Sequence, residues 1–450
     1  MMLLTRLISS FVLNAWSRSV ASSFAYARTT LSLLGMVAML AACGGGGGGS
    51  SASTSTNTSG ASTSSANSNA STTSSATTTA TALASNAVAI SVGNAIGGRR
   101  PNLPYVSVTV CVPNTTTCQT IDDVIVDTGS VGLRLLASSL TVGLTMNTAP
   151  SGAALGECVQ FADGYTWGAV RTADIKVGSE TASAVPVNVI ADSATPTMPS
   201  ACADNGGVAH SSISSLGANG ILGIGQQSAD CGTACANAAV PMTYYACNGS
   251  NNGTCVATQL SLAQQVPNPI SRFATDNNGS VIVFPAVDAQ GVANVAGQLI
   301  FGIGTQSNNA LGTATVIPTD VYGQFTATVN SHTFSKSYLD SGSNSIYFSG
   351  ISIPTCSSNA AFYCPTAALN YGMVLTSNIG TATLSSTLNI NNAETMLSAN
   401  GGTGYALPGL AGPGFTTGLD LGLPFFYGKR VFTAIAGAVT PGGTGPYIAI

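Results

Sequence analysis

Charge is what this sequence has least of. Only 6% of its 450 residues are Asp, Glu, Lys or Arg, where a globular domain usually carries about 25%. Twelve Lys and Arg against sixteen Asp and Glu give a net charge of −4. No cluster of cations is available to neutralise phosphates, which argues against a nucleic-acid partner. Histidine occurs twice, at His210 and His332, too few for a His-ligated metal centre. No apolar run reaches the roughly 18 residues that a membrane-spanning helix requires. What the chain has in quantity is glycine, at 52 residues, and apolar side chains, at 45%. Its length allows two domains.

Residues 1–43 read as an address. Arg6, Arg18 and Arg28 precede the apolar stretch Leu31 to Ala42, the order of a bacterial export signal. Leu40-Ala41-Ala42-Cys43 resembles the bacterial lipobox, so Cys43 is expected to be lipidated, with Gly44 directing the product to the outer membrane. Residues 44–97 contain no charged side chain and consist largely of Ser, Thr, Ala, Asn and Gly. Such a composition cannot bury a core and reads as a tether. The expectation is an outer-membrane lipoprotein, periplasmic or surface-facing, bound to the membrane through its lipid.

Setting Cys43 aside, ten of the eleven cysteines remain, an even number that suits an oxidising compartment. Cys111/Cys118, Cys247/Cys255 and Cys356/Cys364 lie close in sequence, Cys158/Cys202 would close a longer loop, and Cys231/Cys235 would complete a set of five. Pairing of Cys231 and Cys235 with Cys247 and Cys255 is equally allowed, since connectivity is not readable from spacing. A zinc site built from those four thiols is a weaker competitor, because their spacing is not that of two short metal-binding turns.

From Pro101 onward, runs rich in Val, Ile, Thr, Tyr and Phe alternate with Gly, Asn and Pro, as in Tyr105–Val110, Asp123–Val126, Ala184–Ile190, Val281–Phe284, Gln298–Phe301, Phe325–Val329 and Arg430–Ile435. This is an all-β pattern. Leu260–Val266 and Pro365–Tyr371 are the better helix candidates. A motif repeats within it. Val124-Ile125-Val126 leads into Asp127-Thr128-Gly129-Ser130, and Ile221-Leu222-Gly223 follows later. Tyr338-Leu339 leads into Asp340-Ser341-Gly342-Ser343, followed by Asp420-Leu421-Gly422. Each Asp-Ser/Thr-Gly-Ser turn is thus followed, at similar distance, by a short strand ending in glycine.

Here the chain resembles the pepsin-like aspartic peptidases, and within them a bacterial branch of unassigned function. The resemblance runs from about Tyr105 to Ile450. It implies a bilobal all-β acid-protease fold with pseudo-two-fold symmetry and an interlobe cleft, one lobe spanning residues 98–288 and the other 290–450. It further implies a monomeric endopeptidase without metal or organic cofactor, acting on an extended polypeptide. Asp340 would take a proton from a water while Asp127 donates to the substrate carbonyl. Two neighbouring carboxylates suit that chemistry because like charges cannot both ionise cheaply, so one proton is shared. Gly129 and Gly342 would admit the backbone close to the acids, Ser130 and Ser343 would bond their outer oxygens, and Thr128 and Ser341 would lock the turns together.

The family also carries a flap, a hairpin with a tyrosine before a Gly-rich turn. Phe161, Asp163, Gly164, Tyr165 and Trp167 fall at that place, with Asp163-Gly164 as the turn, but Phe161 stands where the tyrosine would be. Arg134 stands where the family has an aromatic residue that positions the flap. A catalytically silent envelope protein that binds a peptide in the same cleft is the alternative reading. His210 and His332 read as surface or loop residues, His332 at a hairpin tip.

Overall fold

The β-branched and aromatic runs form strands in nearly every place the sequence pattern puts them. The computed structural model describes residues 83–93, 96–98, 100–249 and 253–450. The export segment, Cys43 and the tether through residue 82 lie outside the described residues. Residues 83–450 form one compact unit.

A large sheet of 17 strands collects the first-half strands together with Gly279–Val283, Val295–Phe301, Val316–Pro318, Arg430–Ala434 and Tyr447–Ala449. The last strands of the chain therefore return to a sheet built mostly from the first half. A second sheet of seven strands runs in the order Thr383–Ile390, Leu369–Thr376, Phe325–Val329, His332–Asp340, Asp420–Gly422, Ile346–Tyr347, Ala411–Gly412. Its central strands and those of the large sheet contribute to one continuous core, in which Leu133, Leu222, Phe325, Leu339 and Leu421 are all buried.

Three expectations need correction. Residues 44–97 are not all tether, because Ala87–Val92 is a strand, paired antiparallel with Val295–Phe301 from Ala87 opposite Ile300 to Val92 opposite Val295. Its alanines and serine look like linker composition, yet Ile90 and Val92 turn inward while Ala89 and Ser91 stay exposed, the alternation of a half-buried strand. Leu260–Val266 is an irregular segment, held by the Gln265 carboxamide, which donates to the carbonyls of Gly232 and Leu260. Pro365–Tyr371 runs into the strand Leu369–Thr376, which joins Phe325–Val329 to Thr383–Ile390. The helices among the described residues are short, such as Ala393–Ser398, capped by the Asn392 side chain.

Five disulfides join Cys111 to Cys118, Cys158 to Cys202, Cys231 to Cys235, Cys247 to Cys255 and Cys356 to Cys364. The four thiols of the zinc alternative are thus two disulfides. No helix among the described residues is long and apolar enough to cross a membrane.

Candidate active site

The strand Cys118–Asp127 ends in four buried residues and delivers Asp127 at its tip. Gly220–Ile224 runs parallel beside it with Gly223 opposite Asp127, and antiparallel to the returning strand Val131–Leu136. The second turn repeats this register. His332–Asp340 delivers Asp340, and Asp420–Gly422 runs parallel with Gly422 opposite it. Strands covered on both sides read as near-continuous apolar runs, which is why Val124-Ile125-Val126 and Gly220-Ile221-Leu222 carry little alternation. The glycines answer to close packing. A Cβ on Gly223 would lie 2.7 Å from the Val131 nitrogen, and one on Gly422 2.7 Å from the Ser343 carbonyl oxygen.

Two turns far apart in sequence are locked into each other. The Thr128 amide donates to Ser341 Oγ (3.1 Å) and the Ser341 amide to Thr128 Oγ1 (2.9 Å). Thr128 Oγ1 donates in turn to the Leu339 carbonyl and Ser341 Oγ to that of Val126. Each turn's glycine faces the other turn's acid. A Cβ on Gly129 would fall 2.6 Å from Asp340 Cγ, and one on Gly342 2.7 Å from Asp127 Oδ1. Within each turn the acid is held in the same way. The Gly129 amide donates to Asp127 Oδ1 and the Gly342 amide to Asp340 Oδ1 (2.7 and 2.9 Å). Ser130 Oγ donates to Asp127 Oδ2, and Ser343 Oγ to Asp340 Oδ2.

The structure therefore brings Asp127, Asp340, the three pairs of supporting residues and the glycines of both partner strands to one place. Asp127, Thr128 and Ser341 are buried, while Asp340 keeps part of its surface open. Burial first, then the facing Asp127 and the nearby Asp420, hold the Asp340 carboxyl well above the usual range. No Lys, Arg or His among the described residues forms an ion pair with any of these three acids.

Asp420 is the residue that spacing alone did not single out. It sits where a partner strand is expected to be apolar, opposite Tyr338. Ser343 Oγ lies 2.9 Å from Oδ2 of both Asp340 and Asp420. An Asp between Leu419 and Leu421, aligned with Ile221 of the first motif, was the available signal.

Over residues 82–450 the sequence matches the family model described as "Protein of unknown function (DUF3443)". The chain belongs to that family. No curated protein matches it. The span shared with DUF3443 takes in the strand Ala87–Val92, both Asp turns, both partner strands and the hairpin.

In this DUF3443 chain, Ala154–Gln160 and Gly164–Val177 form the hairpin, closed by the Phe161 amide donating to the Gly164 carbonyl. Phe161 packs against the buried cluster that includes Leu103, Leu136 and Ile221. Tyr165 and Trp167 are engaged elsewhere. Both join the cluster around Cys158 and Cys202, and Trp167 donates from Nε1 to the Pro196 carbonyl and meets Tyr245 edge-on.

His210 lies in a loop, directly after the strand Val208–Ala209, but not at the surface. It is buried, at 5% exposure, and its Nε2 lies 2.9 Å from Oδ1 of the exposed Asp163 at the hairpin turn. Val208–Ala209 extends the hairpin as a parallel strand. Burial alone favours the neutral ring, but the Asp163 hydrogen bond and charge outweigh it and raise the His210 pKa. His332 does sit at a hairpin tip, where Asn330 and Ser331 take positive φ.

Arg134 is fully buried on Val131–Leu136. Its guanidinium bonds Glu157 on the hairpin strand at 3.1 Å and reaches Asp230 at 3.4 Å. Tyr244 donates to Asp230 and accepts from the Val266 amide. Burial holds the Glu157 carboxyl well above its ordinary value, with Arg134 opposing and Asp230 reinforcing. The ion pair thus ties the strand after the first Asp turn to the hairpin.

Proposed function

We propose that the chain is an aspartic endopeptidase of the pepsin-like kind, with Asp127 and Asp340 as the catalytic pair. One observation carries this reading. Two turns of the same Asp-Ser/Thr-Gly-Ser pattern exchange hydrogen bonds through Thr128 and Ser341, and each places its carboxyl against the other's glycine. The pseudo-two-fold relation of the two lobes belongs to the same proposal, supported by the repeated register of Gly223 with Asp127 and Gly422 with Asp340.

In this reading the pair carries one proton, and its titration belongs to both acids together. One carboxylate takes a proton from a water held between them as that water attacks the peptide carbonyl. The other carboxyl gives its proton to the carbonyl oxygen. Expulsion of the amine takes the proton the first carboxylate has gained, while a hydroxyl of the tetrahedral intermediate returns its proton to the second carboxylate as the carbonyl re-forms, so the pair ends as it began, one proton shared. The amides of Gly129 and Gly342 fix the inner oxygens and Ser130 and Ser343 the outer ones, which keeps the geometry ready before substrate arrives. The exported, lipid-anchored placement expected from Cys43 makes envelope polypeptides the substrate class.

A second reading is favoured by the hairpin. Phe161 carries no hydroxyl, and Tyr165 and Trp167 are packed around the Cys158–Cys202 disulfide. No phenol of the hairpin is then assigned to the acids, which suits a protein that holds a peptide without cutting it. Incubation with heat-denatured casein between about pH 3 and 7 decides between them. Hydrolysis by the wild type that vanishes in both Asp127→Asn and Asp340→Asn supports the peptidase. Peptide binding without hydrolysis supports the silent protein, and hydrolysis unaffected by both substitutions refutes the assigned pair.

A further inference from the structure

Asp420 occupies a position that the first motif fills with carbon. Two steps before the Gly223–Asp127 pair, Ile221 lies opposite Ile125. Two steps before the Gly422–Asp340 pair, Asp420 lies opposite Tyr338. An acid replaces an isoleucine and a phenol faces it, in a strand whose three residues are all buried.

The contacts of this acid decide its state. Asp340 accepts from the Gly342 and Ser343 amides at Oδ1, and from Ser343 Oγ at Oδ2. Asp420 has no such amides, and its Oδ1 is buried with no hydrogen-bond partner. A serine hydroxyl has one proton to give. Lying 2.9 Å from an oxygen of each acid, it can donate to only one, so the other contact needs a proton on a carboxyl. A buried carboxylate without cation or amide donors is costly, and Asp420 is the one so placed.

We propose that Asp420 is a third acid of this site, exchanging a proton with Asp340 through the Ser343 hydroxyl and so keeping the catalytic pair protonated to higher pH. The inference rests on the peptidase reading for its consequence, though not for its geometry. In the exchange, Asp420 Oδ2 gives its proton to Ser343 Oγ while the Ser343 proton passes to Asp340 Oδ2. The hydroxyl is unchanged, Asp420 becomes the carboxylate and Asp340 is neutral. Asp420 acts through Ser343 and is a positioning residue.

The groups that face Asp420 are Asp127 at the first turn, Asp340 and Tyr338 on its parallel neighbour, Ser343, and Tyr347 opposite it in the antiparallel strand. None is a cation. Burial chiefly, opposed by the Ser343 bond, assisted by Asp127 and opposed again by the Tyr338 phenol, brings the Asp420 carboxyl up to about 8. Its charge, once formed, raises Asp340 in turn. Loss of the first proton from the trio therefore makes the second harder to remove.

Two measurements on the full chain test this. Carboxyl-carbon NMR with isotope-labelled aspartate should show one resonance titrating far above ordinary carboxylates, absent from Asp420→Asn. An Asp420 carboxyl that titrates with the surface acids overturns the inference whether or not the protein is a peptidase. With heat-denatured casein as probe, the alkaline limb of the pH–rate profile should move down by about one unit in Asp420→Asn, with the acid limb in place. An unmoved alkaline limb in a folded Asp420→Asn overturns it. Should that variant fail to fold, Asp420→Ser, which keeps a small polar side chain without a carboxyl, is read in the same way. A wild type that hydrolyses nothing sinks the peptidase reading alone, and the NMR titration still decides the bridge.

Discussion

Thr128 and Ser341, 213 residues apart, each donate a backbone amide to the other's hydroxyl. All four atoms are buried, and each hydroxyl also donates to a carbonyl at the base of the opposite turn. A buried amide left without its acceptor costs about 1–3 kcal/mol. Thr128→Val and Ser341→Ala should each lower stability by that amount. Because the bonds are reciprocal, the double variant should lose less than the sum, with a coupling of about 1 kcal/mol or more. Urea unfolding of the four proteins reads this directly, and strict additivity would mean that the turns do not hold each other.

Gly129→Ala and Gly342→Ala test the close approach of each turn to the opposite acid. The added methyl would meet Asp340 Cγ at 2.6 Å in the first case and Asp127 Oδ1 at 2.7 Å in the second. The turns must then move apart. A stability loss of about 1–3 kcal/mol is expected, together with loss of hydrolysis, since a displacement of this kind separates the pair. Retention of full activity in either variant would contradict the geometry.

The pH dependence of stability has a definite sign. Asp340 and Asp420 bind protons more tightly folded than unfolded, because burial and neighbouring acids raise both. An unfolded Asp titrates near about 3.9, and Asp420 in the fold at about 8. The stabilisation is fully present below the first value and is lost as pH rises through the second. Chemical unfolding of the wild type should show stability falling across that window, and Asp420→Asn should flatten the curve. A wild-type curve that rises throughout the window would contradict the burial of these acids as neutral groups.

Arg134→Leu should destabilise by about 3–5 kcal/mol, because Glu157 and Asp230 keep their burial and lose their cation. The double replacement of Arg134 and Glu157 by leucine should recover much of the loss. Thermal unfolding of both variants measures this, and a deeper loss in the double variant would show that the pair itself, rather than its breakage, governs stability.

The Asp turns were legible in the sequence because their chemistry is constrained at each position. An acid at a strand end, a hydroxyl, a glycine and a second hydroxyl leave few alternatives, and the pattern occurs twice. The five disulfides were legible as a set of pairs, though not as a choice among pairings. Asp420 was not, since its meaning depends on which residue lies opposite it in a parallel pair and on Ser343 in a distant turn. His210 was hidden for a similar reason, its partner lying 47 residues away. Ala87–Val92 reads as linker because it follows directly on the uncharged Ser/Thr/Ala tract, which hides the alternation of Val88, Ile90 and Val92. Its place beside Val295–Phe301, supplied by the fold, makes it a strand.

The central claim is that Asp127 and Asp340 act as one pair, and a mimic of the tetrahedral intermediate addresses it without need of turnover. A peptide bearing a secondary alcohol in place of the scissile carbonyl should raise the melting temperature of the wild type at saturating concentration, and the rise should vanish in Asp127→Asn and in Asp340→Asn. No rise in the wild type between about pH 3 and 7, or an equal rise in all three proteins, would contradict the account.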